Sequence, residues 1–134
     1  MRVIYDTNVL VTLVRREELA AFRLAITSKR LVLITSGYIL DEFERVLHQK
    51  FDLTPQKARI TAKVFGRLSV LVAPRTIERI CRDPSDDYIL AAALAGHADY
   101  IVTADKDLLV IGEYKGIRII TRTELADLLQ DSTN

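Results

Sequence analysis

Short runs of aliphatic and β-branched residues alternate along this chain with longer stretches in which apolar positions recur at helical spacing. The short runs are Arg2 to Tyr5, Leu31 to Thr35, Val70 to Ala73, Tyr100 to Thr103 and Ile117 to Ile120, and each reads as a strand. Between the first two, Asn8 to Ser28 reads as one broken helix or two consecutive ones, and Gly37 to His48 reads as another. Thr54 before Pro55 marks a helix start, an N-cap hydroxyl followed by a proline whose missing N–H is harmless in a first turn. That helix should run to near Arg67, with Ile60, Val64 and Leu68 on its buried side. Asp83-Pro84-Ser85 opens a further helix through YILAAALA to about Gly96, and its alanines call for close packing against the sheet. A short helix is expected from Lys106 to about Ile111, and Thr121 and Glu124 have capping-box spacing ahead of Leu125, Leu128 and Leu129. The alternation predicts an α/β protein with three α/β/α layers and a mainly parallel central sheet of about five strands.

Length and composition narrow this only a little. The 134 residues suit a single domain over 1–134, and 49% hydrophobic with 28% charged residues is a globular balance. There is no repeat, low-complexity stretch or linker-like segment. Cys81 is the only cysteine, which rules out an intrachain disulfide and a cysteine-based zinc site, and it reads as a packed or partly exposed thiol rather than a nucleophile. The apolar runs are too short to span a bilayer and the first is cut by Asp6, so no signal peptide or membrane helix is expected. A reducing cytoplasm is the expected compartment.

Acidic residues recur where apolar segments end: Asp6 after RVIY, Glu42 after ITSGYIL, Asp87 before YILAAALA and Asp105 after DYIVTA. Each has a simple structural explanation. Asp6 begins an Asp-Thr-Asn turn or cap, Asp86 and Asp87 suit the dipole of a first helical turn, and Asp105 and Asp107 could start a helix. Glu42 and Glu44 both lie at the margin of an apolar face made by Ile39, Leu40, Phe43, Val46 and Leu47, and periodicity does not choose between them. Caps, however, have no reason to gather. Asp6 and Asp105 follow the carboxyl ends of the first and fourth strands, and Glu42 lies about two turns into the helix leaving the second, whereas connectivity alone does not place Asp87. Doubly wound sheets bind ligands at that edge, where the winding reverses. Two carboxylates about 4 Å apart repel by roughly 4 kcal/mol at an effective dielectric near 20, so a convergent set calls for a divalent cation.

The net charge of +1 hides an asymmetry. Of 18 acids, removing these four leaves 14 against 19 basic residues, a mildly cationic remainder that tolerates phosphates. Arg59, Lys63 and Arg67 fall four apart and form one stripe on a helix. The stripe is a solvated face, a nucleic-acid track or a partner surface.

With these features placed, the chain resembles the PIN domain family of metal-dependent ribonucleases. The resemblance rests on VIYDTNVLV at 3–11, TSGYILDEFERVL at 35–47, DPSDDYILAAALAGHADYIVTADKDLL at 83–109 and the closing IIT-x-x-EL at 119–125. It implies that Asp6, Glu42, Asp87 and Asp105 are the catalytic, metal-binding acids. Asn8, Thr103 and Asp107 would support them, with Asp86 a rival to Asp87. It prefers Glu42 to Glu44 through the spacing from Ser36, and Asp87 through its place before the I-L-A run. It further implies Mg²⁺ or Mn²⁺ as cofactor, RNA as substrate, a homodimer, and kinship with the toxins of toxin/antitoxin pairs, hence a small antitoxin partner.

The expected activity is hydrolysis of RNA phosphodiester bonds. Rival readings are an RNA-processing nuclease outside any toxin/antitoxin pair, and a non-catalytic RNA- or protein-binding module whose acids cap helices. Receiver and phosphatase domains fit poorly, because Ala73-Pro74 stands where the former needs an aspartate and Asn8 where the latter needs a second one. No glycine-rich run exists to cradle a nucleotide. The DNA-gripping insertions of flap nucleases have no room in this length.

Overall fold

A computed structural model describes residues 1–131, so the last three residues of the expected domain lie outside the described residues. The elements run β1 (Arg2–Tyr5), α1 (Thr7–Arg15), α2 (Leu19–Thr27), β2 (Val32–Ser36), α3 (Gly37–Phe51), α4 (Pro55–Arg67) and β3 (Ser69–Val72). They continue with α5 (Pro84–Ala95), β4 (Tyr100–Val102), α6 (Lys106–Ile111), β5 (Glu113–Tyr114), β6 (Ile117–Ile120) and α7 (Arg122–Asp131). Successive residues of β1 point to opposite faces, yet Val3, Ile4 and Tyr5 are all buried, so both faces of the sheet are covered by helices.

The strand order is β3-β2-β1-β4-β6-β5. The chain starts in the middle, winds outward through β2 and β3, crosses back by way of α5 and continues on the other side with β4 and β6, all of these parallel. The direction of winding therefore reverses between β1 and β4, whose register sets Tyr5 opposite Val102. Among the described residues the sheet has six strands rather than about five. The added strand, β5, is two residues long and antiparallel to β6, joined to it through Lys115 and Gly116, both at positive φ, as a tight hairpin turn requires. A strand so short leaves no periodicity to read.

The segment from residue 8 to 28 is two helices, interrupted near Glu17 at a φ of 54°. At α7, Thr121 Oγ1 accepts from the Glu124 amide and Glu124 Oε1 accepts from the Thr121 amide, which completes the capping box. The expectation for α4 needs correcting. Ile60 and Val64 are 61% and 44% exposed, and Leu68 is half-buried beyond the helix end; the buried side is Ala58, Ala62 and Phe65. Small residues let α4 lie close to α3, where a Cβ added at Gly66 would stand 3.2 Å from Leu40 Cδ1. Phe65 then joins an aromatic chain from Tyr5 through Phe22 to Phe43, with ring centroids 5.0–5.6 Å apart. Among the described residues no helix is long and apolar enough to cross a membrane.

The alanines of α5 do pack closely: Ala91, Ala92 and Ala93 are buried, and the helix lies on β2, β1 and β4. Its end is fixed by Gly96, whose carbonyl accepts from Arg2 Nε and Nη2 at 3.0 and 2.8 Å. A Cβ there would meet Ile34 Cγ2 at 2.5 Å, and Cγ2 of a β-branched residue in a strand has little freedom to move away. We expect Gly96→Ala to lower stability by about 1–3 kcal/mol in urea unfolding. The same substitution in an Ile34→Ala background should cost under about 1 kcal/mol, because the clash is then gone.

Candidate metal centre

The parallel pairing of β1 with β4 sends two acid-bearing segments out of the sheet side by side. Asp6 donates its amide to the Val102 carbonyl at 3.0 Å. Thr103, fully buried, joins the two segments through one hydroxyl: Oγ1 donates to Asp6 Oδ2 at 2.8 Å and accepts from the Asp105 amide at 3.0 Å. Asp6 occupies the N-cap position of α1, yet its side chain makes no cap hydrogen bond. The carboxylate faces the crevice instead. Asp105 does both jobs, since its Oδ1 accepts from the Asp107 amide at 2.9 Å and so caps α6.

From the other side of the crevice, Ser36 ends β2 and caps α3 by accepting from the Ile39 amide, which aims the first two turns of α3 past the sheet edge. Glu42 is half-buried there, 4.0 Å from Arg45, and its charge bears on Asp6. Asp83 caps α5 by accepting from the Ser85 amide at 3.0 Å. The next turn presents Asp86, only 5% exposed, with no hydrogen-bond partner for Oδ2.

Electrostatics report the same convergence. Burial, reinforced by Asp105, Asp6 and Asp83, pushes the Asp86 carboxyl up to about 7. Burial also raises Asp6, helped by Asp105 and Glu42 and opposed by the Thr103 hydrogen bond. Asp6 thus lies in the field of Glu42 and Asp105, and Asp86 in that of Asp6 and Asp105.

Asp87 points elsewhere. Adjacent residues on a helix differ by about 100° in direction, so only one of the pair can face the crevice. Asp87 Oδ1 accepts from the amides of Ile80 and Cys81 at 3.0 and 2.8 Å. Burial acts to raise its pKa, but these bonds, the Cys81 thiol and Arg79 outweigh it and hold the carboxylate below its usual range. The structure therefore brings Asp86, and not Asp87, to the other acids, the reverse of the order drawn from the I-L-A run. Asp87 anchors a strap, residues 73–83, that joins β3 to α5 without regular structure. Two further contacts hold the strap: Lys115 to Glu78 at 2.7 Å, and Arg82 to both oxygens of Asp107 at 3.0 Å. Cys81, with its thiol pushed up to about 12 by burial and by Asp87, is a packing and anchoring group and no nucleophile.

Of the remaining expected residues, Asn8 is exposed in the first turn of α1 and Asp107 is engaged by Arg82 at the rim. Arg59, Lys63 and Arg67 are exposed on α4, and Arg67 ends that helix just before β3 begins, at the sheet edge opposite the acids. Two features went unread in the sequence: the strap's anchors, and a stacked pair formed by Tyr38 and Tyr88. The spacing of Asp83 and Asp86 held a usable signal, since a residue three beyond an N-cap starts a new face of the helix.

The donor set is all oxygen, which suits a hard cation such as Mg²⁺ or Mn²⁺ over zinc or copper. The partnerless Asp86 Oδ2 and the uncompensated repulsion among the acids fit the same cation. Among the described residues, no three acidic, histidine or cysteine side chains already stand close enough to encircle an ion, so a cation held here would have to draw the carboxylates together.

A family model described as PIN domain matches residues 2–107. The chain belongs to the PIN domain family. The PIN domain fold is also that of a solved structure, VapBC2 from Rickettsia felis bound to a DNA fragment from their promoter. The alignment has a TM-score of 0.63 and 13% identity, over 90% of this chain and 98% of that one, a likeness of fold. No curated protein sequence matches. PIN domains are generally nucleases, and they typically use divalent metals.

The raised carboxyls of this PIN domain set its pH dependence. Above pH about 4 the folded, metal-free protein keeps protons on Asp86 and Asp6 that the unfolded chain has released, so stability falls as pH rises towards about 7 and then levels off. In EDTA, Asp86→Asn should flatten this slope and stabilise the protein at about pH 8 by roughly 1–2 kcal/mol, less than the full shift because water reaches the crevice. Urea midpoints at about pH 5 and about pH 8 measure it; a slope unchanged by Asp86→Asn contradicts the assignment.

Proposed function

We propose that this PIN domain is a divalent-metal-dependent endoribonuclease, the toxin of a toxin/antitoxin pair, with Asp6, Glu42, Asp86 and Asp105 as its metal-binding acids. The observation that carries this reading is the buried, partnerless oxygen of Asp86 facing Asp6 and Asp105 at the reversal point of the sheet. Cavities that keep several carboxylates and no cation repel an anionic phosphodiester. Bound Mg²⁺ or Mn²⁺ would reverse the local potential, stabilise charge on the phosphate and acidify a water for attack.

The chain's own residues do the arranging. Thr103 fixes Asp6 in orientation through its hydroxyl and fixes the Asp105 backbone through the same atom. Asp105 keeps one oxygen on α6, which leaves the other for the crevice. Asp107 holds the Arg82 guanidinium at the rim, where it meets an approaching phosphate, and Asn8 adds a polar group beside Asp6. The proton of the attacking water would pass to this group of carboxylates, with no single one assigned as its base.

The antitoxin and the homodimer belong to the same proposal, as does a cytoplasmic location. An apolar groove of about 180 Å³ between α2 and α4, lined by Leu19, Phe22, Ile60, Val64 and Phe65, gives a partner protein a surface. The basic stripe of Arg59, Lys63 and Arg67 lies on the same helix and favours an acidic partner there over RNA leading to the acids.

Cleavage of single-stranded and structured RNA in Mg²⁺, Mn²⁺ or EDTA tests the reading. Asp6→Asn, Asp86→Asn and Asp105→Asn should each lose roughly 100-fold or more in activity, beyond the loss typical of residues that merely orient ligands. Asp87→Asn, which can still accept both strap amides, should keep most of it. Cleavage that persists in EDTA, or full activity in Asp6→Asn and Asp105→Asn, would sink the proposal. Loss in Asp87→Asn with Asp86→Asn active would return the third acid to Asp87.

A further inference from the structure

Tyr38 in the first turn of α3 and Tyr88 in α5 stack with ring centroids 3.8 Å apart and planes only 7° from parallel. Aromatic pairs in cores favour offset or edge-on contacts, and this pair is not in the core: Tyr38 is 39% exposed. Tyr38 precedes Glu42 by four residues and so lies on the same face of α3, one turn of about 5.4 Å away. Tyr88 follows Asp86 by two on α5. The stack therefore bridges the two helices that bring Glu42 and Asp86 to the crevice. Burial, then Glu42, Tyr88 and Asp83, raise the Tyr38 hydroxyl, which stays protonated and has no acid–base part to play. What remains is a flat apolar ring one turn from Glu42, backed by a second ring, with the Arg45 guanidinium near Glu42 as the nearby cation.

We propose that Tyr38, backed by Tyr88, is a stacking platform for an unpaired RNA base next to the scissile phosphate, which makes this site selective for single strands. The inference rests on the nuclease reading above. Every base has a π-face, so such a platform selects for an unpaired, splayed nucleotide without specifying its identity. The one-turn distance to Glu42 matches a base contact adjoining the phosphate under attack. Tyr88 sets the ring plane: held between Tyr88 and the base, Tyr38 has no freedom to swing into the crevice.

The test uses the full chain on an Asp105→Asn background in Mg²⁺, so that the strand stays intact, with a short fluorescent single-stranded oligoribonucleotide and the same strand annealed into a duplex. Tyr38→Ala should weaken single-strand binding by roughly 5- to 150-fold, the range of one lost base stack, and leave duplex binding unchanged. Tyr38→Phe, which keeps the ring, should bind within about twofold of the parent, since stacking needs no hydroxyl. With the catalytic acids restored, Tyr38→Ala should raise KM and spare kcat. Single-strand binding unaffected by Tyr38→Ala overturns the platform. So does conversion of a dimer to a monomer by Tyr38→Ala with RNA affinity retained, which would give the ring to a second copy of the chain. If no metal supports cleavage by the parent but single-strand binding still depends on Tyr38, the nuclease reading fails and the platform stands.

Discussion

Adjacent parallel pairing of β1 with β4 is the constraint from which the rest of the site follows. These strands are remote in sequence, and only their contact makes Asp6 and Asp105 neighbours. The arrangement works against itself electrostatically, because it concentrates like charge in a poorly solvated crevice. It persists because the cost is met elsewhere: in fully buried strands, in α5 lying flat on the sheet through its alanines, and in the Thr103 hydroxyl shared by both segments. Part of the fold's stability is spent on keeping carboxylates where they repel.

How much of this could be read from the sequence depended on how local the deciding interaction was. Strand ends and caps are local, and so Asp6 and Asp105 could be placed at one sheet edge from apolar runs and turn residues alone. The capping box at Thr121 and the helix start at Asp83 were legible for the same reason. Asp86 and Asp87 were not separable, because the rotation of a helix about its axis is set by docking, and both residues suit a first turn equally. On α4 two stripes satisfy the helical period, Ile60 with Val64 and Ala58 with Ala62 and Phe65. Ile60 and Val64 are the more conspicuous pair, but Ala58 and Ala62 are buried because α3 comes near them, and Phe65 fills the space beside Phe43 and Phe22. Hydrophobicity ranks residues by transfer, whereas a crowded interface ranks them by size.

The exposed face of α4 and the aromatic stack near α3 both carry apolar surface that folding leaves uncovered. They differ in setting. The groove beside Ile60 is flanked by cations and lies away from the acids, which suits a protein surface, while Tyr38 sits one helical turn from Glu42, which suits the proposed substrate. Separating the two means that a partner on α4 would act without filling the crevice.

The strap from residue 73 to 83 has a consequence for how this domain tolerates change. Its anchor, Asp87, and the crevice acid, Asp86, share a peptide bond, so one turn of α5 holds the strap on one side and faces the crevice on the other. Surface loops ordinarily absorb insertions and deletions without penalty. This one is tied to the crevice: an alteration in its length would pull on Asp87 at the start of α5 and bear on the aim of Asp86, so an outwardly featureless loop is not free to drift.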